Sequence, residues 1–152
     1  YILVAIRIIR ECIAEDDSNN RLDKSARNAI KLGELLSKTS ETDEALKCFD
    51  RAFKVFASLS NHSMDANKAL ERKAQLLIEM ENFLEAAKCY SDLYHRFSQN
   101  NVLKFSASAM LLKAFLAKLC IDDVDAKIYF EMQSTDRDIN KSTFLLDKFY
   151  RF

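Results

Sequence analysis

EALKCF at residues 44–49 returns as EAAKCY at 85–90, 41 positions on, with the glutamate, alanine, lysine and cysteine unchanged in place. The pattern reaches beyond these six residues: a small residue, a basic one two places later, and a large apolar one two further on. It reads Ala5-x-Arg7-x-Ile9, Ala45-x-Lys47-x-Phe49 and Ala86-x-Lys88-x-Tyr90, with a weaker fourth copy in Asp125-Ala126-Lys127-Ile128-Tyr129. The steps are 40, 41 and 39 residues. Such a period is filled by two helices of about 16 to 18 residues and marks stacked helical hairpins. Alanine lets a paired helix approach closely, and the large residue one turn later fills the space between neighbours.

Composition agrees with helices throughout. The chain has no Pro, no Trp and a single glycine, Gly33, so it lacks the turn chemistry that many short strands require. At 152 residues and 49% hydrophobic it is long enough to bury a core. The expected fold class is all-α: a right-handed solenoid of antiparallel helical hairpins, tetratricopeptide-like but with longer helices, because a period of about 40 exceeds the ~34 residues of that repeat. Residues 1–152 are read as one such helical-repeat domain. Periodicity predicts helices near 2–14, 21–38, 42–58, 64–80, 82–97, 102–120, 123–132 and 139–150, separated by polar stretches such as Asp16–Asn20. Ser40 with Asp43 three residues on reads as a capping box at the start of the third helix.

Several function classes are excluded. Lys plus Arg balances Asp plus Glu at 23 each, so no global field draws the chain to nucleic acid. One glycine permits no phosphate-binding loop, His62 and His95 have no nucleophile at a recognisable spacing, and no metal motif is present. Neither an enzyme nor a cofactor is expected, and no catalytic or metal-binding residue is assigned. Cys12, Cys48, Cys89 and Cys120 lie inside helical patterns without Cys-x-x-Cys spacing, which reads as reduced thiols in a cytoplasmic protein. YILVAIRII at 1–9 is too short and too interrupted for a membrane span or signal peptide. The chain opens on Tyr1 rather than Met, and it is expected to be a piece of a longer protein.

The charge signal is local. Arg21, Lys24, Arg27 and Lys31 recur at spacings of three, three and four, on one helical face. Lys68 lies 41 residues after Arg27, with Arg72 one turn on, so the cations repeat in register. The next place in that register is Ser108, with Lys104 one turn before it. A row of this kind suits an acidic, elongated protein partner. At the other end Asp122, Asp123 and Asp125 cluster at a helix start, with Asp136, Asp138 and Asp147 beyond. Capping and dipole effects account for the cluster, and a basic partner is the sharper reading.

ANKALERKAQLLIEMENFLEAAKCY at 66–90, LKFSASAMLLKAFLAKLCID at 103–122 and AK at 126–127 resemble the soluble NSF attachment proteins, the SNAP family, its alpha and beta forms more than its gamma form. The resemblance implies a non-enzymatic adaptor in vesicle trafficking that is cytoplasmic and peripheral on membranes. It implies that the basic face binds an assembled SNARE four-helix bundle and that the C-terminal end recruits the AAA ATPase NSF for SNARE disassembly. Family positions that contact the bundle fall on Arg21, Arg27 and Lys68, already selected by the repeat register, and another falls on Ser108, where Lys104 is the nearest cation. Family positions that contact the ATPase fall on Asp122 and, through LLD at 145–147, on Asp147, while later family glutamates fall near Tyr150 and Arg151 and do not match. On this resemblance, the N-terminal hairpins and C-terminal tail of the family are expected to lie outside residues 1–152. The expected SNARE-binding set is therefore Arg21, Lys24, Arg27, Lys31, Lys68, Arg72 and Lys104, and the expected NSF-binding set Asp122, Asp123 and Asp147. The alternative is a generic helical-repeat scaffold binding a peptide motif or an assembly subunit.

Overall fold

Residues spaced four, three and four apart fall on one side of a helix. In the computed structural model, which describes residues 1–133, the repeated phrase opens such a stripe twice. Ala45, Phe49, Ala52 and Phe56 are buried along one helix, and Ala86, Tyr90, Leu93 and Phe97, each 41 positions later, are buried along another. The partner helices repeat as well: Ser25, Ala66 and Ala107 stand 41 residues apart and all three are buried. The period thus carries whole buried faces, of which the quoted six residues are the most legible part.

The described residues are all helical, as expected, and contain no strand. In chain order the helices are α1 (Ile2–Ser18), α2 (Leu22–Lys38), α3 (Thr42–Ser58), α4 (Ser63–Glu79), α5 (Phe83–Ser98), α6 (Lys104–Leu119) and α7 (Asp123–Gln133). The helix expected over 139–150 lies outside the described residues. Three of the intervening turns share one device. Asn20, Ser40 and Glu81 adopt the left-handed conformation, with φ of 54°, 66° and 59°. The N–H of each following residue reaches back to a carbonyl five residues earlier: Arg21 to Asp16 (2.8 Å), Glu41 to Leu36 (3.2 Å) and Asn82 to Leu77 (2.9 Å). This is the Schellman ending, which satisfies free carbonyls and turns the chain sharply enough for an antiparallel neighbour.

The chain forms two compact units, Tyr1–Leu76 and from Leu77 on. In the first, α2 packs against both α1 and α3. Gly33, the one glycine, lies under Phe49: a Cβ there would stand 2.8 Å from Cε1 of the ring. Polar bridges hold the outer helices. Ser25 donates to Asp17 (2.6 Å), Arg51 donates to both carboxylate oxygens of Asp17 (2.6 and 2.7 Å), and Arg10 donates to Glu44 (2.8 Å). Lys73 on α4 donates to Asp50 on α3 (2.8 Å). In the second unit, α6 packs against α5 and α7. Phe115 and Phe130 meet with ring centroids 5.4 Å apart, and the Ser91 and Tyr129 hydroxyls share a 2.6 Å hydrogen bond.

Three local expectations are corrected. Helix α1 continues through Asp16 and Asp17 to Ser18 instead of stopping at 14, because these polar residues have partners. Buried Asp16 accepts from Asn28 (3.1 Å), and Ser18 donates back to the Ala14 carbonyl (2.9 Å). The capping box at Ser40 does not form: Ser40 is the left-handed turn residue, and Glu41 precedes α3 without a side-chain cap. The fourth copy of the repeat is shifted by one residue. Ala126 and Phe130, four apart like Ala45 and Phe49, are its buried pair, and Tyr129 is displaced to the flank.

Candidate protein-interaction surface

Helix α2 buries Ser25, Ala26, Ala29, Ile30, Leu32, Gly33 and Leu36, and its remaining side faces outward. Lys24, Arg27 and Lys31 are exposed on this outer side, as are Lys68 and Arg72 on α4. Arg72 Nε stands 3.3 Å from Glu34 Oε1, which ties α4 to α2 within the first unit. Glu34 follows Lys31 by three residues and Arg72 follows Lys68 by four, so the two lysines stand one turn from the linked pair, each on its own helix.

These cations differ in what they already hold. Lys24, Lys31 and Lys68 make no ion pair among the described residues. Arg27 is loosely paired with Asp23, 3.9 Å away and one turn earlier. Arg21 is the most committed. It precedes α2, its Nε lies 3.0 Å from Asp16 Oδ1 without hydrogen-bond alignment, and its Nη2 is 3.6 Å from Glu15. Its charge is largely spent on the α1–α2 turn. In the second unit Lys104 begins α6 and is exposed, with its ammonium 5.3 Å from the Phe105 ring centroid, and Ser108 is half-buried.

The acidic set occupies the start of α7. Asp122 Oδ1 accepts from the N–H groups of Val124 (2.9 Å) and Asp125 (3.3 Å), which makes Asp122 the helix cap that the sequence suggested. Asp123 is exposed in the first turn, and Asp125 is 3.6 Å from Lys118. Asp136, Asp138, Asp147, Tyr150 and Arg151 lie outside the described residues. Reading cations along the chain missed the carboxylates set among them, Asp23 and Glu34. The Asp23–Arg27 spacing of four was available as a signal; the Glu34–Arg72 pairing, 38 residues apart, was not.

Nothing in this surface is a catalytic constellation. Among the described residues no group of three or more His, Cys, Asp or Glu could hold a metal ion, and no helix is long and apolar enough to cross a membrane. His62 Nδ1 is 2.9 Å from Asp65 and its ring lies against Phe56, which makes it a packing residue of the α3–α4 turn. Burial, with Glu44 nearby, pushes the Cys48 thiol above its ordinary range, the reverse of an activated nucleophile.

Comparison with known proteins gives one curated relative, an alpha-soluble NSF attachment protein of Vitis vinifera, 26% identical over 108 residues. That alignment covers 71% of this chain and 37% of the relative, so the chain spans little more than a third of its length. No solved structure matches. The family pattern described as soluble NSF attachment protein, SNAP, matches residues 3–143, nearly the whole chain. On that match, joined to an all-helical hairpin fold, the chain belongs to the soluble NSF attachment protein family.

Proposed function

We propose that this chain is part of a non-enzymatic adaptor of vesicle trafficking, cytoplasmic and peripheral on membranes, that binds an assembled SNARE bundle and recruits an NSF-type ATPase to take it apart. Lys24, Arg27, Lys31, Lys68 and Arg72 of the first unit would meet the acidic outer surface of the bundle, with Arg21 bracing the start of α2, and Lys104 of the second unit would be a further contact in its own right. Asp122 and Asp123, with Asp147 further on, would meet the ATPase. The observation that carries this reading is three exposed lysines, on α2 and α4 of one unit, that make no ion pair among the described residues, in a chain of this family. Unpaired exposed ammonium groups keep their charge for a partner, whereas paired ones must first be released.

The chemistry is charge complementarity in solvent. An exposed ion pair is worth about 0.2–1 kcal/mol, so one chain binds weakly and in a salt-sensitive way. Several adaptors around one bundle, all held by one hexameric ATPase, raise the total through effective concentration. The rival scaffold for short peptide motifs calls for polar groups gathered in a groove. The shallow hollow of about 330 Å³ between α1 and α3 is edged by Arg10, Glu44 and Arg51, which are already engaged in ion pairs within the chain.

The test is binding of the chain to an assembled SNARE bundle and to the separate unfolded subunits, at low and moderate salt. Preference for the bundle, weakened by salt and by Lys31→Glu/Lys68→Glu, is the expected result. Equal binding to bundle and subunits, or no effect of the charge reversal, overturns the reading.

A further inference from the structure

Within the first unit, the ion pairs that join neighbouring helices fall into two kinds. Arg51 with Asp17 and Lys73 with Asp50 are close, hydrogen-bonded contacts of 2.6–2.8 Å, and Ser25 adds to the first. Arg72 with Glu34 is different. Its 3.3 Å separation comes without hydrogen-bond alignment, although its side chains are about as exposed as those of Arg51 and Asp17, and both stand one turn from a lysine that has no ion pair among the described residues. Exposed pairs of this quality contribute little to stability, because screening and side-chain entropy offset much of the attraction. A weak carboxylate held among cations acts instead on whatever else those cations could bind.

Resting on the adaptor reading above, we propose that Glu34 is a resident competitor for the basic surface: it occupies Arg72 in the free chain and yields it to an acidic partner. A lone carboxylate offered by a partner gains little, since it only replaces Glu34. An ordered array of carboxylates on a rigid bundle gains more, because Lys31, Lys68 and the released Arg72 are engaged together. Glu34 therefore selects for dense, ordered acidic surfaces over scattered acidic groups. Asp23, looser on Arg27, acts in the same sense and more weakly.

The experiment is a double-mutant cycle on affinity for an assembled SNARE bundle at low salt. It uses the whole chain as wild type, Glu34→Gln, Arg72→Gln and the combined variant, with Lys31→Glu/Lys68→Glu beside them. Glu34→Gln is expected to tighten binding about two- to fivefold, the scale of one exposed ion pair. In the Arg72→Gln background the same change should have little effect, and the urea midpoint of Glu34→Gln should stay near wild type. Unchanged or weaker binding by Glu34→Gln, or full tightening that persists without Arg72, overturns the competitor while leaving the basic surface standing. No binding by the wild-type chain, or no response to Lys31→Glu/Lys68→Glu, overturns the adaptor reading and the competitor with it.

Discussion

The ring of Phe49 lies so close over Gly33 that a methyl group there would stand 2.8 Å from Cε1 and 2.9 Å from Cζ. The repeated phrase and the one glycine are thus two halves of a single contact between α2 and α3. Gly33→Ala would add helix propensity of about 1 kcal/mol, but overpacking against a buried ring costs about 1–3 kcal/mol. A net destabilisation of about 1 kcal/mol is expected in urea unfolding. The loss should shrink or reverse in a Phe49→Leu background, where the crowding ring is absent.

Acid should loosen the first unit through two carboxylates. The hydrogen bond from Ser25, reinforced against partial burial by the Arg51 guanidinium, holds the Asp17 carboxyl below its ordinary value. Burial alone would raise the Asp50 carboxyl, and hydrogen bonds and charge from Lys54 and Lys73 outweigh it and hold it below. A depressed folded value means the unfolded chain takes up protons first as pH falls. The stabilisation is therefore whole above the ordinary carboxylate value of 3.8 and is lost as pH drops through the lower folded values. Urea midpoints measured from neutral pH downward should fall less steeply in Asp17→Asn/Asp50→Asn than in wild type.

Ser40 and Glu81 hold left-handed backbone that glycine adopts without a Cβ penalty. The penalty is about 1–2 kcal/mol, and the greater freedom of glycine in the unfolded chain offsets part of it. Ser40→Gly and Glu81→Gly are each expected to stabilise by a few tenths to about 1 kcal/mol. A lower melting temperature in either variant would show that its side chain contributes more than the strain costs.

Tyr129 reaches from α7 to Ser91 on α5 through a 2.6 Å hydrogen bond. Tyr129→Phe removes one partner of a half-buried pair and should destabilise by about 0.5–1.5 kcal/mol. Ser91→Ala/Tyr129→Phe should cost less than the sum of the single changes. Additive losses would argue that the two hydroxyls are independently solvated.

The helices and their spacing were legible in the sequence because both rest on short-range physics, and the family was legible from the phrases at 66–90 and 103–122 that resemble it. An alanine and an aromatic one turn apart report a packed face wherever they occur, and 41-residue recurrence reports that the face is used again. The cationic row was legible for the same reason, since residues three and four apart must share a helical side. Where local cues failed, a distant partner had decided the outcome. Asp16 and Asp17 read as a break, yet α1 runs through them because Asn28, Ser25 and Arg51 donate hydrogen bonds to their carboxylates. Ser40 read as a cap, and the demand of an antiparallel turn made it a left-handed hinge instead.

By itself, then, the amino-acid order determined that this chain is a series of helices with recurring buried stripes, and which of its cations share a face. Only the tertiary structure decided which of those cations are available. Arg21 is drawn into the α1–α2 turn by Asp16, Arg72 is held by Glu34, and Lys24, Lys31 and Lys68 are left unpaired among the described residues. The reason is physical: a helical period is set by neighbours within four residues, whereas an ion pair is set by whichever opposite charge the packed helices bring within about 4 Å.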